Sequence, residues 1–332
     1  MESKKRTEIS TLGQFGLIER LTRDFTPRND STRQGVGDDA AVLTPPAGEE
    51  LLCTTDTLFE GVDFDLTYFP LKHLGYKSVV SVTGELYAAM ARPRTLSITL
   101  GISSKLDFEQ VREFWSGVLV AAKEQGYAHL FLDLVPSRNG LAISLAAEGF
   151  RKASTEQKRP APASKDLICV SGSLGSAYFG QQVLEHKPDE LEKYRMMVGD
   201  YLKPELSPVT LIQLEELGII PAAGLFVSRG LSDAILRLSR DTGLGAKVYA
   251  DRIPFEGNSF ALGKELDIDP VSAAMNGGDD FRLLYVIPLS DYERFRTDFQ
   301  VFDIIGHLAL PEVGSVLVTP DGLEHPISAQ GW

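Results

Sequence analysis

Two cysteines in 332 residues leave no room for a disulfide framework. Both, Cys53 and Cys169, fall in apolar strand-like runs, which predicts buried thiols rather than a bridge. No apolar run approaches the ~20 residues of a bilayer span. The opening MESKKRTEIS lacks the apolar stretch of a secretory signal. Positive charge is in deficit, with 33 Lys and Arg against 46 Asp and Glu, a net charge of −13. That deficit argues against nucleic acid or an anionic membrane as a partner recognised through overall charge. Anionic substrates could be held only locally, with metal ions as the natural bridge. There is no short-period repeat. The expectation is a soluble, cytoplasmic protein, and the length and the 43% hydrophobic content predict two domains.

Leu12, Phe15, Leu17, Ile18 and Leu21 recur at helical spacing and predict a first helix over 11–24, closed by Pro27. Short strands follow at 40–43 and 51–56, a long helix over 71–91, a strand over 94–102, an amphipathic helix over 108–125, and strands at 130–134 and 141–147. Residues 151–165, RKASTEQKRPAPASK, are polar, basic and aperiodic, and read as a linker between a domain of 1–150 and one of 151–332. The second half is predicted to hold strands at 166–171, 224–228, 246–250, 282–288, 301–306 and 315–319. Its helices are predicted at 177–185, 189–202, 207–217, 231–242 and near 290–298. The fold class is α+β (α/β) in two halves.

Acids gather at predicted strand ends and turns: GDD (37–39), TTD (54–56), GEL (84–86), LFLDL (130–134) and NGGDDF (276–281). Hard cations such as Mg²⁺ take oxygen ligands, mostly carboxylates, water and substrate phosphates. Alternation along a strand puts Thr54 and Asp56 on one face and Thr55 on the other; a strand ending there would let all three face one cavity. An Asp after Gly is most often a turn residue or a cap, so only the constellation argues for a site. The turn SGSLGS (171–176) has the look of a phosphate cradle, but it lacks the lysine of a P-loop.

GVGDDAAVL (35–43), TTDTLFEGVDFDL (54–66), P-x-x-x-LGYKS and NGGDDFRLL (276–284) together resemble the thiamine-monophosphate kinase family, of the aminoimidazole ribonucleotide synthetase-like group. The resemblance runs from about Thr11 to the terminal AQGW. Neither a redox-active cysteine motif near the start, as in selenophosphate synthetase, nor a terminal cysteine, as in the hydrogenase maturation relative, is present. The resemblance implies a homodimer whose N-terminal domains pair into a β-barrel, flanked by the C-terminal α/β domains. It implies γ-phosphoryl transfer from ATP to thiamine monophosphate with Mg²⁺. Residue by residue, it assigns Asp38, Asp39, Thr54, Thr55, Asp56, Glu85 and Asp133 to metal. It places Trp115, Asp133, Arg159 and Ser228 near ATP, and Asp63, Asp279 and Trp332 near the substrate.

The departures from the family pattern fall on the chemistry. The family's Asn-x-Ser-Asp on the long helix reads Val82-Thr83-Gly84-Glu85, its EG-x-HF carries Asp63, and two glycines before Asp133 are Phe131 and Leu132. Its Asp-x-Ser-Asp-Gly-Leu reads Phe226-Val227-Ser228-Arg229-Gly230-Leu231, without either aspartate. Asp279 stands where the family has Glu. One reading is a working kinase in which Arg229 supplies charge to the phosphoryl group directly. A second is a paralogue that keeps the fold, and nucleotide or Mg²⁺ binding, without transfer. A third is a related ATP-dependent enzyme with another substrate.

Overall fold

The computed structural model describes residues 20–21, 45–299 and 301–329. The expected helix over 11–24 is represented only by Arg20 and Leu21, both helical. The strand over 40–43, Asp38, Asp39 and Trp332 lie outside the described residues. The chain divides into two compact units, one of Met1–Leu86 with Ala91–Ala153, the other of Tyr87–Met90 with Ser154–Trp332. Among the described residues no helix is long and apolar enough to cross a membrane.

The first unit holds a four-stranded sheet in the order β1-β4-β2-β3, where β1 is Glu49–Phe59, β2 Arg92–Ser103, β3 His129–Ser137 and β4 Ala142–Lys152. Helix α1 (Leu71–Ala88) joins β1 to β2, and α2 (Phe108–Gln125) makes the crossover between the parallel pair β2 and β3. Local chemistry sets the ends of α2. Asp107 caps its start reciprocally with Gln110, and Gly126 closes it in the left-handed conformation. Alternation along the strands buries Leu96, Ile98 and Leu100 of β2 and Ile143, Leu145 and Ala147 of β4 on one face. Val79 of α1 and Phe114, Trp115 and Val118 of α2 are buried in the same unit.

The centre of the other face of this sheet is lined by small and polar groups. Thr57 pairs with Ser144, Ser144 with Thr99, and Thr99 with Asp133, forming one row across all four strands. Cys53 lies on this face and is exposed, whereas Cys169 is buried as expected. The apolar run around Cys53 belongs to a strand with only one covered face, which is why its composition misled.

The second unit holds a seven-stranded sheet in the order β11-β10-β7-β9-β5-β8-β6. Its strands are β5 Leu167–Ser171, β6 Ala223–Val227, β7 Gly245–Tyr249, β8 Arg282–Ile287, β9 Phe302–Ala309, β10 Ser315–Val318 and β11 Glu324–Pro326. Its main helices are α3 (Ala153–Gln157, at the junction), α4 (Ser176–His186), α5 (Arg195–Leu202), α6 (Val209–Glu216), α7 (Leu231–Thr242), α8 (Ser259–Leu266), α9 (Pro270–Asn276) and α10 (Tyr292–Asp298). The central strand β8, RLLYVI, is buried at every position, so both faces are covered and its sequence shows no alternation. Ile168, Val170, Leu225, Val227, Leu284 and Val286 form one core with Leu231, Ala234, Ile235 and Leu238 of α7.

The boundary between the two units falls inside the expected linker, whose first seven residues lie in regular elements. Arg151 and Lys152 end β4, where Arg151 pairs with Glu50 at 2.8 Å, and 153–157 form α3. Helices α8 and α9 were not read from the sequence, because each is short and their apolar positions sit among Gly, Asn and Asp.

Candidate functional site

Strands β5 and β6 are both antiparallel to β8, which lies between them. The carboxyl ends of β5 and β6 therefore meet the amino end of β8 at one edge of the sheet. Three loops converge there: SGSLGS (171–176), SRG (228–230) and NGGDDF (276–281). Asp279 N–H donates to Ser228 O at 2.8 Å, which joins the last two. Gly230 sits at φ +87, and a Cβ there would come within 2.6 Å of Met275 O, so only glycine lets the loops pack this closely.

The backbone of NGGDDF is strained. Gly278, Asp279 and Phe281 have φ of +78, +62 and +48. Left-handed conformation costs a side-chain-bearing residue about 1–2 kcal/mol, and such strain persists where the surroundings over-determine it, which is typical of functional sites. Part of that surrounding is aromatic. Phe281 stacks on Phe226 at 5.5 Å, and Phe226 is fully buried in β6. The position where the resemblance expects a metal-binding aspartate is thus a core residue. Arg229, two residues beyond the strand, is exposed, and Ser228 and Asp279 are half-buried.

A buried network anchors the loops. The Asp280 carboxylate accepts from Gly175 N–H at 2.8 Å and Ala177 N–H at 3.2 Å, at the start of α4. Nearby, Asp200 of α5 accepts from Arg282 at 3.0 Å and from the Ser176 hydroxyl at 2.6 Å. Burial pushes the Asp280 carboxyl up to about 7, against the two backbone N–H groups and Arg282, which favour its charged form. The glycine turn 171–176 is therefore not an open phosphate cradle: Asp280 takes the Gly175 N–H and Pro254 O takes that of Leu174. Asp200 and Arg282 went unnoticed in the sequence, because no local spacing links them.

Beside the loops lies a cavity of about 660 Å³, bounded by Ser232, Phe255, Phe260, Met275, Asn276 and His325. Asn276 begins the NGGDDF loop and Ser232 lies two residues beyond Gly230, so the cavity opens next to the loop pair. Phe255 and Phe260 meet edge to face at 5.2 Å, and Asp251 and Asp269 also line the cavity. Its size falls in the range of small-molecule sites.

In the first unit the strand register separates the expected metal ligands. Strand β1 continues to Phe59, three residues past Asp56, so it does not end at the TTD motif. Thr54 and Asp56 share a face with Ala147 and Leu145, the buried side, while Thr55 points to the opposite face with Ala146. Asp133 lies on that opposite face too, on β3, at the far edge of the sheet from β1. Three strand spacings put roughly 14 Å between those edges. Thr54, Thr55, Asp56 and Asp133 of one chain thus do not line a single cavity. Among the described residues no group of three His, Cys, Asp or Glu could hold a metal ion.

Other expected contacts have structural partners. Trp115 is 1% exposed within the first unit's core and offers no open face to a nucleotide. Arg159 bonds Glu156 at 2.8 Å and Pro221 O at 2.8 Å. Asp63 accepts from Phe59 N–H at 2.7 Å and closes the turn after β1. Glu85 is half-buried in the last turn of α1.

Residues 37–150 match the family described as AIR synthase related protein, N-terminal domain. The thiamine-monophosphate kinase of Synechococcus elongatus is 28% identical over 282 residues, covering 83% of this chain and 82% of that one. The crystal structure of thiamine-monophosphate kinase from Stenotrophomonas maltophilia K279a superposes with a TM-score of 0.77 at 24% identity, covering 94% and 95% of the two chains. AaThiL complexed with AMPPCP and TMP superposes with a TM-score of 0.70 at 22% identity, covering 98% and 100%. These two structural likenesses establish the fold.

Proposed function

We propose that this chain, similar along most of its length to thiamine-monophosphate kinases and matching the AIR synthase related N-terminal domain over 37–150, transfers the γ-phosphoryl group of ATP to thiamine monophosphate, giving ADP and thiamine diphosphate. The observation that carries this reading is the span of the sequence similarity, which takes in four-fifths of both chains rather than one shared domain.

The site's chemistry is compatible. The attacking group is a phosphate oxygen, already ionised near neutral pH, so the transfer requires no general base. It requires in-line positioning and compensation of charge. In this reading ATP enters as its Mg²⁺ complex. The described residues do not assemble a metal cluster by themselves, so no step is assigned to a protein-held ion. Arg229 faces the phosphoryl group with its guanidinium, and Ser228 and Asp279 position the substrate beside it. The adjoining cavity takes the organic part of thiamine monophosphate. Its thiazolium is a flat cation, suited to the faces of Phe255 and Phe260 and to the acids Asp251 and Asp269.

Asp279→Gly separates a functional loop from a merely structural one. Released strain offsets the lost side-chain contacts, so stability stays within about 1 kcal/mol of the wild type. Turnover falls about tenfold or more, a typical loss for a misplaced site group. Urea denaturation and a chromatographic assay of thiamine diphosphate measure the two. Unchanged turnover in a stably folded variant would remove the loop from the reaction.

The open face of the first unit's sheet supports a homodimer. Its centre carries Thr57, Ser144, Ala146 and Thr99, small enough for two sheets to approach, while Phe59 and Val135 remain 50% and 42% exposed. Pairing with a second copy covers these groups. Light scattering at micromolar concentration is expected to give twice the chain mass, and a monomer would contradict the pairing.

One observation favours the competing reading of a fold without transfer: Phe226 is built into the core where the resemblance expects a metal-binding acid. The turnover assay decides between the two. Thiamine diphosphate formed together with ADP supports the kinase, and its absence with ATP still bound supports the alternative.

A further inference from the structure

One face of the second unit's sheet carries a second cleft, of about 430 Å³. Lys165, Tyr249, Arg252, Ile304, Gly306 and His307 line it. We infer that this cleft binds a phosphorylated heteroaromatic compound, its ring against Tyr249 and His307 and its phosphate between Lys165 and Arg252.

The first support is charge. In a chain of net charge −13, two cations, Lys165 and Arg252, line one small cleft. The neighbouring Lys247 is neutralised by Glu324. Among the described residues no carboxylate lies within salt-bridge distance of Lys165 or Arg252. Unpaired cations that converge on a concavity attract an anion, and their number fits a phosphate.

The second support is backbone strain. Lys165 has φ +78, a conformation that suits glycine. It is clamped on both sides: its N–H donates to Leu308 O, and Leu308 N–H donates to Asp166 O, each at 2.8 Å. The buried Asp166 carboxylate accepts from Ala163 N–H at 2.8 Å and Leu289 N–H at 3.0 Å, which fixes the turn. A lysine held there is strained relative to a relaxed backbone, and such strain is typically retained at binding sites.

The third is shape. The Tyr249 and His307 rings lie 5.8 Å apart, tilted by 34°, and the Arg252 guanidinium sits 5.7 Å from the Tyr249 ring. The floor between them is bare backbone, because a Cβ at Gly306 would fall 2.0 Å from Lys247 O. Burial and the adjacent Lys247 hold His307 below the usual imidazole range, so near neutral pH it offers an uncharged ring face. Flat walls with cations above them suit a ring that bears a phosphate.

Calorimetry on the full chain in EDTA, with AMP and with thiamine monophosphate as probes, tests the inference and distinguishes a nucleotide from a thiamine phosphate as its source. At least one probe is expected to show, apart from any binding at the loop pair, a binding component whose affinity is lowered fivefold or more by Lys165→Gly and by Arg252→Ala. Lys165→Gly relieves the strained φ, so its melting temperature is expected to equal or exceed the wild type's, which separates lost binding from lost folding. Inorganic phosphate alone is expected to bind at least tenfold more weakly than that probe. The inference is overturned if neither probe binds, if both variants bind as the wild type does, or if phosphate binds as tightly as the ring-bearing probes.

Discussion

Asp280→Ala is expected to destabilise the protein by about 3 kcal/mol in urea denaturation, because it leaves two amide donors at the start of α4 buried without an acceptor. Asp280→Asn keeps an acceptor oxygen and the volume, and is expected to cost about 1 kcal/mol. The pH dependence follows from the same burial. Unfolded, this carboxyl loses its proton near the ordinary value of 3.8; folded, it does so only at about 7. Between those values the folded state holds a proton that the unfolded state has released. Stability is therefore fully present below about pH 4 and declines as pH rises toward 7, by on the order of 1 kcal/mol per pH unit from this group. Asp280→Asn cannot ionise, so its stability is expected to be flatter across the window. An equal slope in wild type and Asn variant would assign the pH dependence to other groups.

Arg229→Ala is expected to lower kcat for thiamine diphosphate formation by about 10²-fold, the usual loss when one phosphoryl-stabilising group is removed. Arg229 is exposed beyond the end of β6, so its truncation should change stability by less than about 0.5 kcal/mol. Lysine at 229 should restore part of the rate through charge without the planar fork. An alanine variant within twofold of the wild type would remove Arg229 from the transfer. A gain in rate on Arg229→Asp would instead indicate that a metal site had been repaired.

Periodicity made much of the fold legible. The stretches over 108–125 and 231–242 read as helices with their observed bounds, because each pairs an amphipathic stripe with clear end signals. Strands 282–287 and 167–171 were readable as apolar runs between turns. The site was legible only in part. NGGDDF and SRG announced themselves by glycine and charge, but which aspartate faces outward is settled by tertiary packing. Asp280 turns inward to α4, 105 residues away from Gly175, and no local rule could assign that bond. The TTD motif failed for a different reason. Its reading depended on where β1 ends, and element ends are the least determined feature of a sequence. Phe226 was legible as a departure, yet its role as the partner of Phe281 required the pairing of β6 with β8.

Direct phosphoryl transfer by this chain is tested by following the label from γ-labelled ATP in the presence of Mg²⁺ and thiamine monophosphate. The label is expected in the terminal phosphate of thiamine diphosphate, formed one for one with ADP and strongly reduced in Arg229→Ala. Label recovered only as inorganic phosphate or as unreacted ATP, with protein that is folded and binds nucleotide, would contradict it.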